Sequence, residues 1–270
     1  MNRDVTFGQF IPGNSILHRM DPRVKIVLLC TIIATIFCTF NFYALGLITA
    51  FIIVAILLSG VPFKMYLKSL KVIMIIVIIT SLLNIFYSSG TPIFEFWIFK
   101  ITLDGIFRAI YVTVRIIALI LISSALTFTT SPTDLTDAIE RLMSPLKVFH
   151  IKVHEIAMMM TIALRFIPTL LDETDKIMSA QKSRGADMES GGIFKRVKAV
   201  VPVMIPLFVS SFRRANELEY AMECRCYRGG AGRTKMKIMK MSAKDYVLLI
   251  LSIIYFVGIV LARIFMSKVI

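Results

Sequence analysis

Lys176-Ile177-Met178-Ser179-Ala180-Gln181-Lys182-Ser183-Arg184-Gly185 ends one long helix-forming run, and Leu218-Glu219-Tyr220-Ala221-Met222-Glu223-Cys224-Arg225-Cys226-Tyr227-Arg228-Gly229-Gly230 ends another. In each, an arginine triplet, Ser183-Arg184-Gly185 or Cys224-Arg225-Cys226, stands where helical periodicity gives way to glycine. Glycine marks helix C-termini, so both breaks read as glycine stops. A cation at such an end interacts favourably with the helix dipole by about 0.3–1 kcal/mol, which accounts for a single arginine without any function. Two similar ends in one charged segment, on a chain otherwise built for the membrane, point instead to planar, five-donor tips made to be gripped.

The surroundings of these runs settle the class. Of 270 residues, 57% are hydrophobic, and the mean hydropathy of +0.79 is too high for a soluble domain of this size. The expected fold is an all-α polytopic membrane protein with about five transmembrane helices and a cytoplasmic block of long amphipathic helices. The formal charge of +14 belongs to basic residues flanking apolar spans. No nucleic-acid module accompanies it, so no nucleic-acid partner is expected. Residues 1–22 are polar and lack the apolar core of a cleavable signal.

Going back to the start, Lys25 opens the first span, about 24–40, and a second covers about 44–58 before Ser59-Gly60-Val61-Pro62. The connection from Phe63 to Lys71 carries Lys64, Lys68 and Lys71 at helical spacing. It reads as a short amphipathic piece on the membrane surface, or as an ordinary positive-inside loop. The third span is about 72–87, and the loop beyond it, with Glu95, Trp97, Lys100 and Asp104, is poor in bases. The fourth is about 106–128. Arg19, Arg23 and Lys25 before span one, and the three lysines after span two, place the N-terminus in the cytoplasm. Arg115 lies well inside the fourth span; it is either a functional site, a contact in a polar seam between helices, or a snorkelling cation.

These four spans form an N-terminal membrane part, 1–130. From Ser131 to Ser242 charges recur, and this block, 131–242, is expected in the cytoplasm. It opens with Ser131-Pro132-Thr133-Asp134, an N-cap followed by proline at the first helical position and an acid two residues later. Two helices, about Val153 to Lys182 and Ile193 to Tyr227, would each be about 45–50 Å long, with bends expected at Pro168, Pro202 and Pro206. Met158, Met159 and Met160 form either an adaptable partner surface or core packing. A last span, about 246–262 within a C-terminal part 243–270, crosses outward and leaves the C-terminus extracytoplasmic.

Neither a metal site nor a catalytic site is expected. Cys30 and Cys38 lie in an apolar span, and Cys224 and Cys226 in cytosol, where thiols stay reduced. The Cys-x-Cys pair has no second pair of ligands nearby. His150 and His154, read as i and i+4 on one helix face, also lack further ligands, so a structural role is expected. There is no Gly-x4-Gly-Lys-Ser/Thr phosphate loop.

In motif order and spacing the chain resembles the transmembrane coupling subunit, or T component (EcfT/CbiQ-like), of energy-coupling factor (ECF) transporters. The resemblance rests on Ser15-Ile16-Leu17-His18-Arg19-Met20-Asp21-Pro22-Arg23-Val24-Lys25, Ser131-Pro132-Thr133-Asp134-Leu135, Leu164-Arg165-Phe166-Ile167-Pro168, Gln181-Lys182-Ser183-Arg184-Gly185-Ala186 and Ala221-Met222-Glu223-Cys224-Arg225-Cys226-Tyr227-Arg228-Gly229. It covers nearly the whole chain. Both triplets are often Ala-Arg-Gly in that family, so Ser183, Cys224 and Cys226 depart from the pattern and leave the helix-end geometry open.

The resemblance implies a non-catalytic subunit that joins two cytoplasmic ABC-type ATPases to a small membrane protein, the S component, which captures a vitamin or other micronutrient. Ser183, Arg184, Gly185, Cys224, Arg225 and Cys226 would form the ATPase-coupling tips, with Met158, Met159 and Met160 as an S-component contact. This chain would hold no cofactor; ATP and magnesium would bind on the ATPases. The rival readings are a stand-alone secondary transporter, for which Arg115 is the sole candidate mid-membrane group, another membrane scaffold, or a membrane enzyme. Copurifying ATPases would separate these classes.

Overall fold

The computed structural model describes residues 10–39, 41–86, 92–96, 99–186, 192–230, 239 and 241–267. Phe40 and Tyr87, the expected ends of spans one and three, lie outside the described residues, as do Trp97, the break at 187–191 and Lys235, Lys237 and Lys240. The chain forms two compact units, one of Met1–Ala138 with Lys237–Ile270, the other of Ile139–Met236.

The first unit is a helical bundle. A single turn, α1 (Ile16–Arg19), leads into α2 (Pro22–Cys38). Asp21 caps α2 by accepting from the Arg23 amide at 2.9 Å, and Pro22 supplies the preset φ of a first helical residue. Helix α2 therefore starts three residues ahead of Lys25, where the first apolar span was expected to open. Next, α3 (Phe42–Ser59) stops at Gly60, whose φ of 66° is left-handed. The surface piece expected at 63–71 is not separate: α4 runs unbroken over Phe63–Phe86. No glycine or proline interrupts that stretch, and Lys64, Lys68 and Lys71 are all exposed on its early turns.

Within the loop expected after span three, Pro92–Phe96 (β1) and Phe99–Thr102 (β2) pair antiparallel, with Glu95 opposite Lys100. Aromatic and β-branched residues favour a ribbon there; it is the one departure from helical secondary structure among the described residues. Thr102 then caps α5 (Leu103–Thr129) by accepting from the Gly105 amide at 3.1 Å. As expected, Ser131 caps α6 (Pro132–Leu142). It accepts from the Asp134 amide at 3.1 Å and donates to the Asp134 carboxylate at 2.8 Å.

The core of this unit joins α2, α3 and α5 through Ile32, Ile36, Ile48, Ile52, Ala118 and Phe128. Tyr66 of α4 is fully buried edge-on to Phe128, ring centroids 5.2 Å apart, and donates its hydroxyl to Ser59 Oγ at 3.1 Å. A polar knot closes one end of the bundle. Lys25 is 8% exposed and donates to the Thr129 carbonyl at 2.9 Å and to Thr130 Oγ1 at 3.1 Å. It thereby occupies the negative, carbonyl-bearing end of α5. Asp21, Asp134 and Asp245 act on the Lys25 ammonium electrostatically, while Arg23 grips both Asp21 oxygens at 3.0 and 2.7 Å and reaches the Met239 carbonyl.

The second unit follows in chain order. A 3-10 helix at Ser144–Phe149 ends at His150, which has φ 59°. His150 thus lies outside the next helix, and the expected shared face with His154 does not form. Helix α7 covers Val153–Ser183 and α8 covers Ile193–Cys224; each continues as one helix through its internal prolines, Pro168 in the first and Pro202 and Pro206 in the second. At 1.5 Å per residue they are about 46 and 48 Å long. The last helix, α9 (Ala243–Ser267), returns to the first unit.

Length and composition mark α3, α4, α5 and α7 as long and apolar enough to cross a membrane, with best-window mean hydropathies of 2.5, 2.3, 2.2 and 1.3, and a shorter apolar stretch spans Asp245–Leu261 of α9. Helix α7 is the least apolar of the four. It also lies in the block read from sequence as cytoplasmic.

Candidate functional site

Both arginine tips have the same backbone construction. At the end of α7 the Gly185 amide donates to the Lys182 carbonyl and the Ala186 amide to the Gln181 carbonyl, each at 3.0 Å. At the end of α8 the Cys226 amide donates to the Glu223 carbonyl at 2.8 Å and the Tyr227 amide to the Met222 carbonyl at 3.0 Å. This is the paired closure that uses a left-handed residue just beyond the cap. Arg184 and Arg225 occupy the equivalent cap positions, with φ −83° and −91°, and both side chains are exposed. Among the described residues neither guanidinium has a hydrogen-bonding or carboxylate partner.

The left-handed residue differs between the two ends. Gly185 takes it with φ 85°, as the glycine stop predicts. At the second end it is Cys226, with φ 55°, and Gly229 turns left-handed only three residues later. Helix α8 therefore ends at Cys224, short of the expected Tyr227, and its stop is a cysteine. A β-carbon in that region costs about 1–2 kcal/mol, so Cys226→Gly is expected to raise stability by up to about 1 kcal/mol. Thermal unfolding of the purified variant checks this; a lower midpoint would contradict the strain.

Helices α7 and α8 run antiparallel against each other. Glu173 accepts from Arg214 Nη2 at 2.7 Å and from the Ser210 hydroxyl, while Gln181 Nε2, further along α7, reaches the Pro202 carbonyl, further back along α8. Beyond α8, Gly230 lies so close to His154 at the start of α7 that a β-carbon would sit 2.4 Å from its Cδ2. His154 in turn contacts Glu140 at 3.0 Å. The two tips therefore stand at opposite ends of the pair.

Elsewhere the expected site residues are dispersed. Met159 and Met160 are exposed on α7 while Met158 is half-buried. In the first unit, Arg115 Nη2 donates to the Thr39 carbonyl at the end of α2 at 2.8 Å and to the Tyr111 hydroxyl at 3.0 Å. Tyr111 donates to the same carbonyl and offers its ring face 4.8 Å from the guanidinium carbon. That is the geometry of a polar seam between α2 and α5.

A second surface was missed from sequence. Phe194, Val197, Val201, Ile205, Phe208 and Phe212 recur at intervals of three or four residues along α8, and all are exposed. They form one apolar stripe about 27 Å long. The spacing is visible in the sequence, but an apolar stripe at helical period reads equally as core packing. Glu173, which ties α8 to α7, was missed because a helical acid among other charges looks like a solvated face.

Four helices among the described residues, long and apolar enough to cross a membrane, define the class, a helical membrane protein. The family model described as cobalt transport protein (CbiQ) matches residues 13–238. The energy-coupling factor transporter transmembrane protein EcfT of Ruminiclostridium cellulolyticum is 49% identical over 261 residues, covering 97% of this chain and 98% of the relative. Those of Clostridium kluyveri, 47% identical over 99% and 100% of the two chains, and of Bacillus subtilis, 45% identical over 91% and 93%, are similar as well. The chain belongs to the CbiQ/EcfT family, the transmembrane proteins of energy-coupling factor transporters.

Proposed function

We propose that the chain is the coupling subunit of an ECF-type importer, linking two cytoplasmic ABC-type ATPases to an S component that captures a vitamin or other micronutrient. The observation that supports this best is the repeated helix end, with Arg184 and Arg225 exposed in equivalent positions at opposite ends of one antiparallel pair. Each guanidinium offers five donors in a fixed plane, suited to carboxylate and carbonyl acceptors in a docking groove. Ser183, Gly185, Cys224 and Cys226 shape the two tips. ATP and magnesium bind on the ATPases, whose closing and opening moves the helix pair as a rigid body.

The S component rests on the apolar stripe of α8, with Met158, Met159 and Met160 of α7 as a further contact. Exposed apolar surface of this extent marks an interaction site. The testing experiment is purification of the tagged chain from native membranes, which brings down two ATPases and an S component. Ile205→Asn with Phe208→Asn should weaken S-component retention about ten-fold or more, from the loss of two buried apolar side chains, and spare the ATPases. Equal loss of all partners would sink the assignment of the stripe.

Residues 131–242 lie in the cytoplasm, with the N-terminus inside and the C-terminus outside. The basic residues around α2 and on the early turns of α4 support this orientation. An impermeant thiol reagent should leave Arg165→Cys on α7 unmodified in intact cells and label it after lysis. Labelling from outside would reverse the topology.

A further inference from the structure

Two adjoining cavities, of about 150 and 220 Å³, open between α2, α3 and α9, with α1 and α5 also lining the first; they share Ile32, Phe51 and Leu248. Together they form one crevice. Along α2 it extends from Lys25 to Thr35, a rise of about 15 Å. That equals the depth of one leaflet, half of a hydrocarbon core about 30 Å thick. Leu47, Phe51 and Leu251 on its lining are exposed, so it opens to the surrounding medium.

The polar groups along the crevice are already engaged. Thr31, Thr35 and Ser252 donate to carbonyls of their own helices, and the Tyr255 hydroxyl donates to the Ala44 carbonyl. Thr129 donates to the Ala125 carbonyl, and Lys25 is held by Thr129 and Thr130. Water entering needs two or more polar partners, and the lining reserves none of its hydroxyl protons for it. An empty crevice would forfeit dispersion contacts along its whole length. The surrounding solvent of a membrane bundle is hydrocarbon, which fits both conditions.

We propose that this crevice holds one acyl chain of a bilayer phospholipid, inserted from the leaflet level with Lys25 and ending near Thr35 and Tyr255. The lipid acts as a wedge between α3 and the α2–α9 pair.

The test uses the full chain in vesicles of phosphatidylcholine and phosphatidylglycerol, doped with phosphatidylglycerol bearing a diazirine at mid-chain. After illumination, adducts should concentrate on Ile32, Phe51 and Leu248, several-fold above those on the exposed face of α4 from Val72 to Leu83. Ala55→Phe fills the crevice from α3, and Leu251→Trp narrows it from an exposed position that tolerates a larger side chain. Either variant should lower the crevice adducts several-fold and leave those on α4 unchanged. Adducts spread evenly over both surfaces, or equal crevice yields in a folded variant, would overturn the proposal.

Discussion

Replacing both Arg184 and Arg225 by alanine is expected to leave the chain inserted in the membrane, stripped of its ATPases and inactive in ATP-driven uptake. Each tip is exposed and has no internal partner among the described residues, so truncation leaves the fold intact and removes only what the arginine offers a partner. A desolvated, hydrogen-bonded charge at an interface costs about 2–5 kcal/mol when truncated, or about 30-fold to several thousand-fold in affinity per site. One remaining tip can still tether the ATPase pair, so each single variant should lose coupling before assembly. Lysine at either position keeps the charge without the planar donors and should rescue only in part. The measurement is ATPase pull-down beside substrate uptake, in membranes matched for the amount of variant. Uptake at the wild-type rate by the double variant would refute the coupling role of the helix ends.

The second large effect concerns the fold. Lys25→Met removes the cation from the polar knot, leaves the Thr129 carbonyl without its ammonium donor and takes away a charge favourable to Asp21, Asp134 and Asp245. The variant loses two hydrogen bonds from a charged donor but also the cost of burying the ammonium, so the net destabilisation is about 1–3 kcal/mol. The expected result is a marked drop in the fraction that stays monodisperse in detergent on heating. Adding Asp245→Asn, which removes one of the acids, should recover part of it. A Lys25→Met chain as heat-resistant as the parent would show that the knot contributes little.

Much of this architecture was legible because it depends on local chemistry. The Ser131-Pro132-Thr133-Asp134 cap, the left-handed Gly185 and the long helices at 153–183 and 193–224 each follow from residues within a few positions of one another. What escaped depends on distant partners. Lys25 reads as a topology-setting charge, yet it turns inward because the end of α5, over a hundred residues away, presents free acceptors. Cys226 has no propensity for its conformation and adopts it because the closing hydrogen bonds of α8 require that backbone. The expected surface piece at 63–71 and the span after it share one unbroken helix, since the three lysines change the polarity without supplying a break. For Arg115, sequence left three alternatives, and only the carbonyl of Thr39 distinguishes a seam.

The contact between Glu173 and Arg214 has a mechanical consequence. Glu173 stands 11 residues before Arg184, and Arg214 stands 11 residues before Arg225. The ion pair is thus a fulcrum with two arms of equal length, about 16 Å each, pointing in opposite directions. Equal arms on one pivot behave as a balance: when the pair turns as one body, the two tips move through equal and opposite distances, and neither end has the longer lever. Under the coupling role proposed above, equal pulls on the two tips would turn the pair without tipping it.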